Sequence, residues 1–471
     1  MKTLNLLILF TFIIISTNNT FANPQTKDFE NVNKLMNRLT EEGFSGAVLV
    51  AQNGKVSSNT YGFADRENKI KNTTNTVFST GSVTKPFTAA AILKLEMMGK
   101  LSVQDKLSKY FDNLPDDKKN ITLHQLLTHS SGFPDSVGRD YEIIEKEAFL
   151  KRSFSSKLLF EPGTEYEYSN VGFSILAAII EKTSGEDYEK FLYKNLFLPA
   201  GMKDTGYSIP KWKVEQLAVG YLGDDRWGKM TEKSNRKPEM YWNLLGNGGI
   251  LTTVEDLYKW HLALESDKIL SKEAKEKHYK PYIEEGEGSD TFYGYGWSIV
   301  PTSNNSTLIT HNGGNGVFFC DFWRFPKEKT VIIVMTNSLK PIYRSLANEI
   351  SKILFDPNYE SKFTNRSEKI TNLAENPNGK LIQTFLDSVK SQDAEKIKSL
   401  VNDNFSPKLQ KAVPIENFVK GLSNLGGDLK DLKLDTASVQ GDKIILTFAD
   451  SPFRVSITVE DGKIGGIDVE N

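Results

Sequence analysis

Apolar and polar residues alternate along "SGAVLVAQNGKVSSNTYG", Ser45 to Gly62, and the alternation is centred on Asn53-Gly54. A period of two around an Asn-Gly dipeptide predicts a β-hairpin with a two-residue turn. After Phe78 the period changes. Phe87, Ala91, Leu95 and Met98 recur at helical spacing and Gly99 closes the run, which predicts an amphipathic helix whose first turn holds Ser82. "VGFSILAAIIEKTSG", Val171 to Gly185, predicts a second, buried helix with a glycine stop. Further on, "YGYGWSIVP", "GVFFCDFWRFP" and "TVIIVMTN" predict consecutive strands of an antiparallel sheet. The last two are joined at Pro326-Lys327-Glu328-Lys329, and "SLANEISKILF" predicts a closing helix.

The pattern breaks near Asp356. Residues 356–375 are polar, charged and rich in Asn, as a linker would be. Beyond it, helical periodicity at 381–389, 394–401 and 415–422 gives way to "KIILTFAD", "FRVSITVE" and "KIGGIDVE". Phe453, Val455, Ile457 and Val459 alternate strictly, and Asp461-Gly462 marks a hairpin turn. Helices followed by an antiparallel sheet predict a small α+β domain over 376–471. The larger domain spans 28–355.

Composition narrows the class. A chain of 471 residues exceeds one small domain. Its formal charge of −2, with no long basic block, argues against nucleic acid as a partner. Lys2, the apolar run from Leu4 to Ile15 and the small residues around Thr20-Phe21-Ala22 predict a signal peptide over 1–22. The protein is therefore expected to be exported, to a bacterial periplasm or the medium, with no stable membrane span once the signal is cleaved. Cys320 is the only cysteine, so no intrachain disulfide forms. Its aromatic neighbours predict a buried thiol. Oligomeric state is not specified by any of these patterns.

Three short stretches carry candidate chemistry. In Ser82-Val83-Thr84-Lys85 the serine and lysine are three apart, hence on one helix face. A lysine with a lowered pKa can accept the serine proton, and the Ser82 N–H can help hold a developing oxyanion. By itself the tetrad favours an N-cap serine with a solvated lysine, and it recurs at Ser208 and Ser234. Tyr168-Ser169-Asn170 precedes the second buried helix; Tyr168 could shuttle a proton and Asn170 could bond a substrate amide. Tyr-x-Asn also recurs, at Tyr193, read as packing, and at Tyr241, read as a possible site residue. His311-Asn312-Gly313-Gly314 heads a strand, where glycine permits close approach of a ligand, and the Gly314 N–H is a second oxyanion candidate. The other histidines, His124, His129, His261 and His278, read as structural. With no paired Cys or His-Glu-x-x-His spacing, neither metal nor cofactor is expected.

In order and spacing these three motifs resemble the serine β-lactamase and penicillin-binding-protein superfamily. The resemblance is to class C-type β-lactamase-related serine hydrolases: esterases, D-aminopeptidases and DD-peptidases. "LHQLLTHSSGFP", "GNGGILTTVEDLYKW" and "YGYGW" support it, and it covers nearly all of residues 28–355. It implies an α+β fold, a three-layer α/β/α sandwich with an antiparallel sheet and a helical subdomain. It implies Ser82 as acylated nucleophile and Lys85 with Tyr168 as general base and acid, in an order left open. Asn170, His311, Asn312, Gly313 and Gly314 would bind substrate, with the Ser82 and Gly314 N–H groups as the oxyanion hole. The third motif reads H-N-G where the superfamily has K-T-G. A histidine binds a carboxylate less firmly than a lysine, so esters, amides or peptidoglycan-like peptides are expected ahead of efficient β-lactam hydrolysis. A β-lactamase or DD-carboxypeptidase, and a non-catalytic binding or sensor module, are the alternatives. The C-terminal domain resembles, by pattern alone, the NTF2-like cone.

Overall fold

The computed structural model describes residues 27–470 except 235–236, 303–304, 357, 360, 362–367, 371–372, 441, 450 and 452–453. The signal-peptide expectation for 1–22, and Phe453 of the alternating strand, lie outside the described residues. The chain divides into two compact units. One is built on Phe44–Ser351, the other on Lys352–Asn471 together with Val32–Gly43.

The first unit centres on an eight-stranded antiparallel sheet. Its strands are β1 (Gly46–Gln52), β2 (Lys55–Tyr61), β3 (Ile283–Glu284), β4 (Phe292–Tyr293), β5 (Ser298–Pro301), β6 (Thr307–Gly314), β7 (Phe319–Phe325) and β8 (Thr330–Thr336). They lie in the order β2-β1-β8-β7-β6-β5-β4-β3, so the N-terminal hairpin joins the end of a meander formed more than 200 residues later. Asn53 and Gly54 turn that hairpin with φ of 50° and 80°, the left-handed pair that a two-residue turn needs. On β1, Ala47, Leu49 and Ala51 point into the main core while Val48 and Val50 are buried on the opposite face. With both faces covered, the sheet is the middle of three layers.

Between β2 and β3 lies the helical part. Helix α1 (Thr84–Met97) is buried on every side from Thr84 to Leu93, not amphipathic as its periodicity suggested. Its lone buried charge, Lys85, thus belongs to the interior. α1 packs on α2 (Asn170–Ser184), which ends at Gly185 with φ 75°. "YGYGWSIVP" forms two strands rather than one. Gly294 donates to Trp297 O at 2.7 Å and Gly296 takes φ 73°, so a turn separates β4 from β5. Cys320 is fully buried.

In the second unit, helices Gly379–Ser391, Ala394–Asn404 and Ile415–Leu429 share one apolar core with an antiparallel sheet. The sheet follows chain order: Glu368–Ile370, Leu434–Gln440, Lys443–Phe448, Arg454–Glu460, Lys463–Glu470. Two of its strands escape the sequence pattern. Glu368–Ile370 falls within the expected linker, and "LDTASVQ" at Leu434–Gln440 is too polar to signal a strand. Pairing with Lys443–Phe448 makes the latter one. Among the described residues, no helix is long and apolar enough to cross a membrane.

Candidate active site

Ser82 is placed by a strand, a turn and a helix in succession. Ser79 pairs with Leu251, and Thr80 N–H donates to Ile250 O at 3.0 Å. Gly81 then takes φ 51°, which brings Ser82 into a tight turn, Gly81–Val83, at the mouth of α1. The end of β6 presses against this turn. A Cβ at Gly313 would lie 2.2 Å from Thr80 O and 2.3 Å from Ser82 N, and one at Gly81 would lie 2.4 Å from Gly314 N. Only glycine allows two backbones this close. The Ser82 and Gly314 backbone nitrogens therefore both lie at the junction of β6 with the Ser82 turn.

Lys85 reaches back from the next turn of the helix. Its Nζ donates to Ser82 Oγ at 3.0 Å, to Asn170 Oδ1 at 2.6 Å and to Asn247 O at 3.0 Å. The residue is wholly buried. Desolvation pulls its pKa down to about 7, against the opposing pull of Asp135 and Asp140. Asn170 passes that pull on, since its Nδ2 donates to Asp135 Oδ1 at 2.8 Å. Asn170 therefore bridges Lys85 and Asp135.

Tyr168 closes the other side. Its hydroxyl faces the Ser82 side chain closely enough for Ser82 to favour the ionised form, and Lys85 Nζ sits 4.6 Å from its ring centroid. Desolvation pushes the phenol well above its ordinary pKa, so Tyr168 is neutral at rest. His129 fixes this segment from behind. Its Nδ1 accepts the Ser169 N–H at 2.9 Å, and its ring lies 4.3 Å from that of Tyr168. Ser169 caps α2 by accepting from Gly172 N–H at 3.1 Å.

His311 is buried, and burial together with Lys85 pushes its pKa down to about 3. The Asn312 carbonyl, 2.6 Å from Nδ1, can only accept, so Nδ1 carries the proton. Nε2 then accepts from the Tyr293 hydroxyl at 3.0 Å. His311 is thus a neutral wall residue, and not even a partial cation. Asn312 is exposed on the same strand. Tyr241, by contrast, lines a separate small cavity of about 20 Å³ with Tyr207 and Met230. Tyr193 packs on the main core.

The cleft in front of Ser82 has a volume of about 480 Å³. Ser82, Tyr168, His311, Asn312, Gly313 and Gly314 line it, as do Tyr166, Tyr293, Glu285 and Arg344. The last four were not among the sequence candidates, nor were Asp135, His129 and Asn247. Three of these missed residues, His129, Asn247 and Tyr293, stand in stretches quoted as supporting the resemblance. Arg344, in "PIYRSLANE", carries no local signal. It is exposed, and among the described residues no carboxylate pairs with it.

The sequence profile of the Beta-lactamase family matches residues 32–352. PbpX of Bacillus subtilis (strain 168) is 34% identical over 296 residues, 60% of this chain and 69% of the relative. A penicillin-binding protein of the same strain is 30% identical over 311 residues, 62% of this chain and 68% of the relative. Among solved structures, the penicillin binding protein from Bacillus halodurans superposes with a TM-score of 0.59 at 27% identity, covering 68% of this chain and 100% of that one.

Proposed function

This chain belongs to the Beta-lactamase family, and from that premise we propose that it is an exported serine hydrolase working through an acyl-enzyme on Ser82. The observation that carries the reading is Lys85: fully buried, 3.0 Å from Ser82 Oγ, with a pKa brought down to about 7. Neutral Lys85 takes the Ser82 proton as Oγ bonds to the substrate carbonyl carbon. The carbonyl oxygen becomes an oxyanion between the Ser82 and Gly314 N–H groups. As the carbon–leaving-group bond breaks, the proton returns to the leaving group through the Tyr168 hydroxyl or directly from Lys85. Water then repeats the sequence on the acyl-enzyme and frees Ser82. The pKa values favour Lys85 over Tyr168 as first base, since the phenol is pushed up.

Small esters, amides and D-amino-acid peptides are the proposed substrates. The neutral state of His311 supports ranking them above β-lactams, because the third motif supplies no cation. One observation favours the second reading: Arg344 lines the same cleft, no carboxylate among the described residues pairs with its guanidinium, and it could receive the carboxylate of a peptide or a penicillin. The test is intact mass of wild type and Ser82→Ala after exposure to a fluorophosphonate, a p-nitrophenyl ester and a penicillin. A covalent adduct confined to the protein with Ser82 is expected, and the reagent that turns over ranks the substrates. Folded wild type that forms no adduct with any of the three would replace the hydrolase with a binding module. Export is tested by a mature N-terminus beginning just after Ala22.

A further inference from the structure

Glu285 lines the same cleft as Arg344. It follows β3, and its backbone N–H is tied to Thr291 O at 2.9 Å across the β3–β4 hairpin. Its side chain accepts one hydrogen bond, from Ser298 Oγ to Oε2 at 2.6 Å. Among the described residues no lysine, arginine or histidine pairs with it. Yet it lines the Ser82 cleft and its charge is felt by Tyr166, Tyr168 and Tyr293. Those rings lie close together, with Tyr166 and Tyr293 centroids 5.9 Å apart and Tyr168 and Tyr293 6.5 Å apart. A carboxylate in a tyrosine-lined part of the cleft attracts an ammonium group by charge, and the rings can add cation–π contact.

We propose that Glu285, with Tyr166 and Tyr293, forms a subsite for a primary ammonium on the substrate, remote from the bond that is cleaved. This deepens, and rests on, the acyl-transfer reading of Ser82. The sheet register sets the reach. Ser298, which holds Glu285, pairs with Thr310, four residues along β6 from Gly314. Four residues of strand span about 13 Å, so the charge lies on the order of 10 Å from the oxyanion hole. An amino group attached directly beside the scissile carbonyl is too near. The favoured substrate is an ester or amide whose acyl part carries an amine at the end of an extended chain, as a lysine-like side chain does.

The test uses three p-nitrophenyl esters of equal acyl length: 8-aminooctanoate, nonanoate and the monoester of nonanedioic acid. An extended eight-bond chain spans about 10 Å. The expected result is a kcat/KM for the amine at least about tenfold above that for the neutral ester. Glu285→Gln keeps the shape and the Ser298 bond, and should bring that ratio to about one. Glu285→Lys should turn the preference towards the anionic ester. A wild type that prefers the neutral or anionic ester, or a preference unchanged in Glu285→Gln, overturns the proposal. Calorimetric binding of 8-aminooctanamide against nonanamide to Ser82→Ala, with and without Glu285→Gln, judges the subsite separately. If no ester is turned over but the amine still binds through Glu285, acyl transfer fails and the subsite stands. If both amides bind alike, the subsite fails whatever Ser82 does.

Discussion

Replacing Gly313 by Ala tests whether the junction of β6 with the Ser82 turn is an oxyanion hole. The added methyl would sit 2.2 Å from Thr80 O and 2.3 Å from Ser82 N, where ordinary contact begins at 3.4 Å. Both neighbours are backbone, so neither can swing aside as a side chain would. One of the two segments must retreat by about an ångström. A donor placed at about 2.9 Å from an oxyanion then lies near 3.9 Å, beyond hydrogen-bond range. Losing one such donor costs about 10²- to 10³-fold in kcat. Overpacking should also remove about 1–3 kcal/mol of stability, seen as a fall of a few degrees in melting temperature. The assay is steady-state hydrolysis of a p-nitrophenyl ester alongside thermal melts of both proteins. Gly421→Ala in the second unit is the control, since nothing lies within 4 Å of its added methyl. If folded Gly313→Ala keeps kcat within about threefold of wild type, the two N–H groups do not stabilise the transition state and the reasoning is wrong.

The base should reveal itself in the pH profile. At a pKa of about 7 roughly half of Lys85 is neutral at pH 7, against about one part in 3000 for an ordinary lysine. kcat/KM should therefore rise with pH through about 7 and level off above it, and Asp135→Asn should move that limb to lower pH by removing a charge that favours the ammonium form. A limb near pH 10, or a flat profile, would assign the proton elsewhere. Asp321 offers a stability test. It is buried on β7, accepts from Trp323 Nε1 at 2.7 Å, and desolvation raises its pKa from 3.8 to about 7. Between those values the native state holds a proton that the unfolded chain has lost, so stability falls as pH rises from about 4 to 7 and stays lower above. Asp321→Asn, unfolded in urea at pH 5 and pH 8, should flatten that fall and be more stable than wild type at pH 8; an equal pH dependence in both proteins would contradict it.

Patterning alone exposed the hairpin at Asn53-Gly54, the glycine stop at Gly185, the turn at residues 326–329 and the helices-then-sheet order of the second unit. These are local matters of period and of left-handed turn residues, which neighbouring sequence determines. It misled where burial is set by distant chain. Thr84 to Leu93 looked half-polar because Thr and Lys interrupt it, yet the surrounding helices and strands enclose all of it. "LDTASVQ" was not predicted as a strand, because its strand character comes from a pairing partner.

The candidate site divides in the same way. The order of Ser82, Lys85, Tyr168 and His311 is written in one dimension, and it sufficed to point to acyl transfer. Their states were decided by packing. Desolvation, not residue type, makes Lys85 a plausible base near neutral pH and deprives His311 of its charge. Asp135 and Asn247 come to Asn170 and Lys85, and Glu285 and Arg344 to the cleft, from loops and edges far apart in the chain. Local patterning does not identify these partnerships, because electrostatic and hydrogen-bond partners depend on distance in space, which only the folded sheet and its helical insert define.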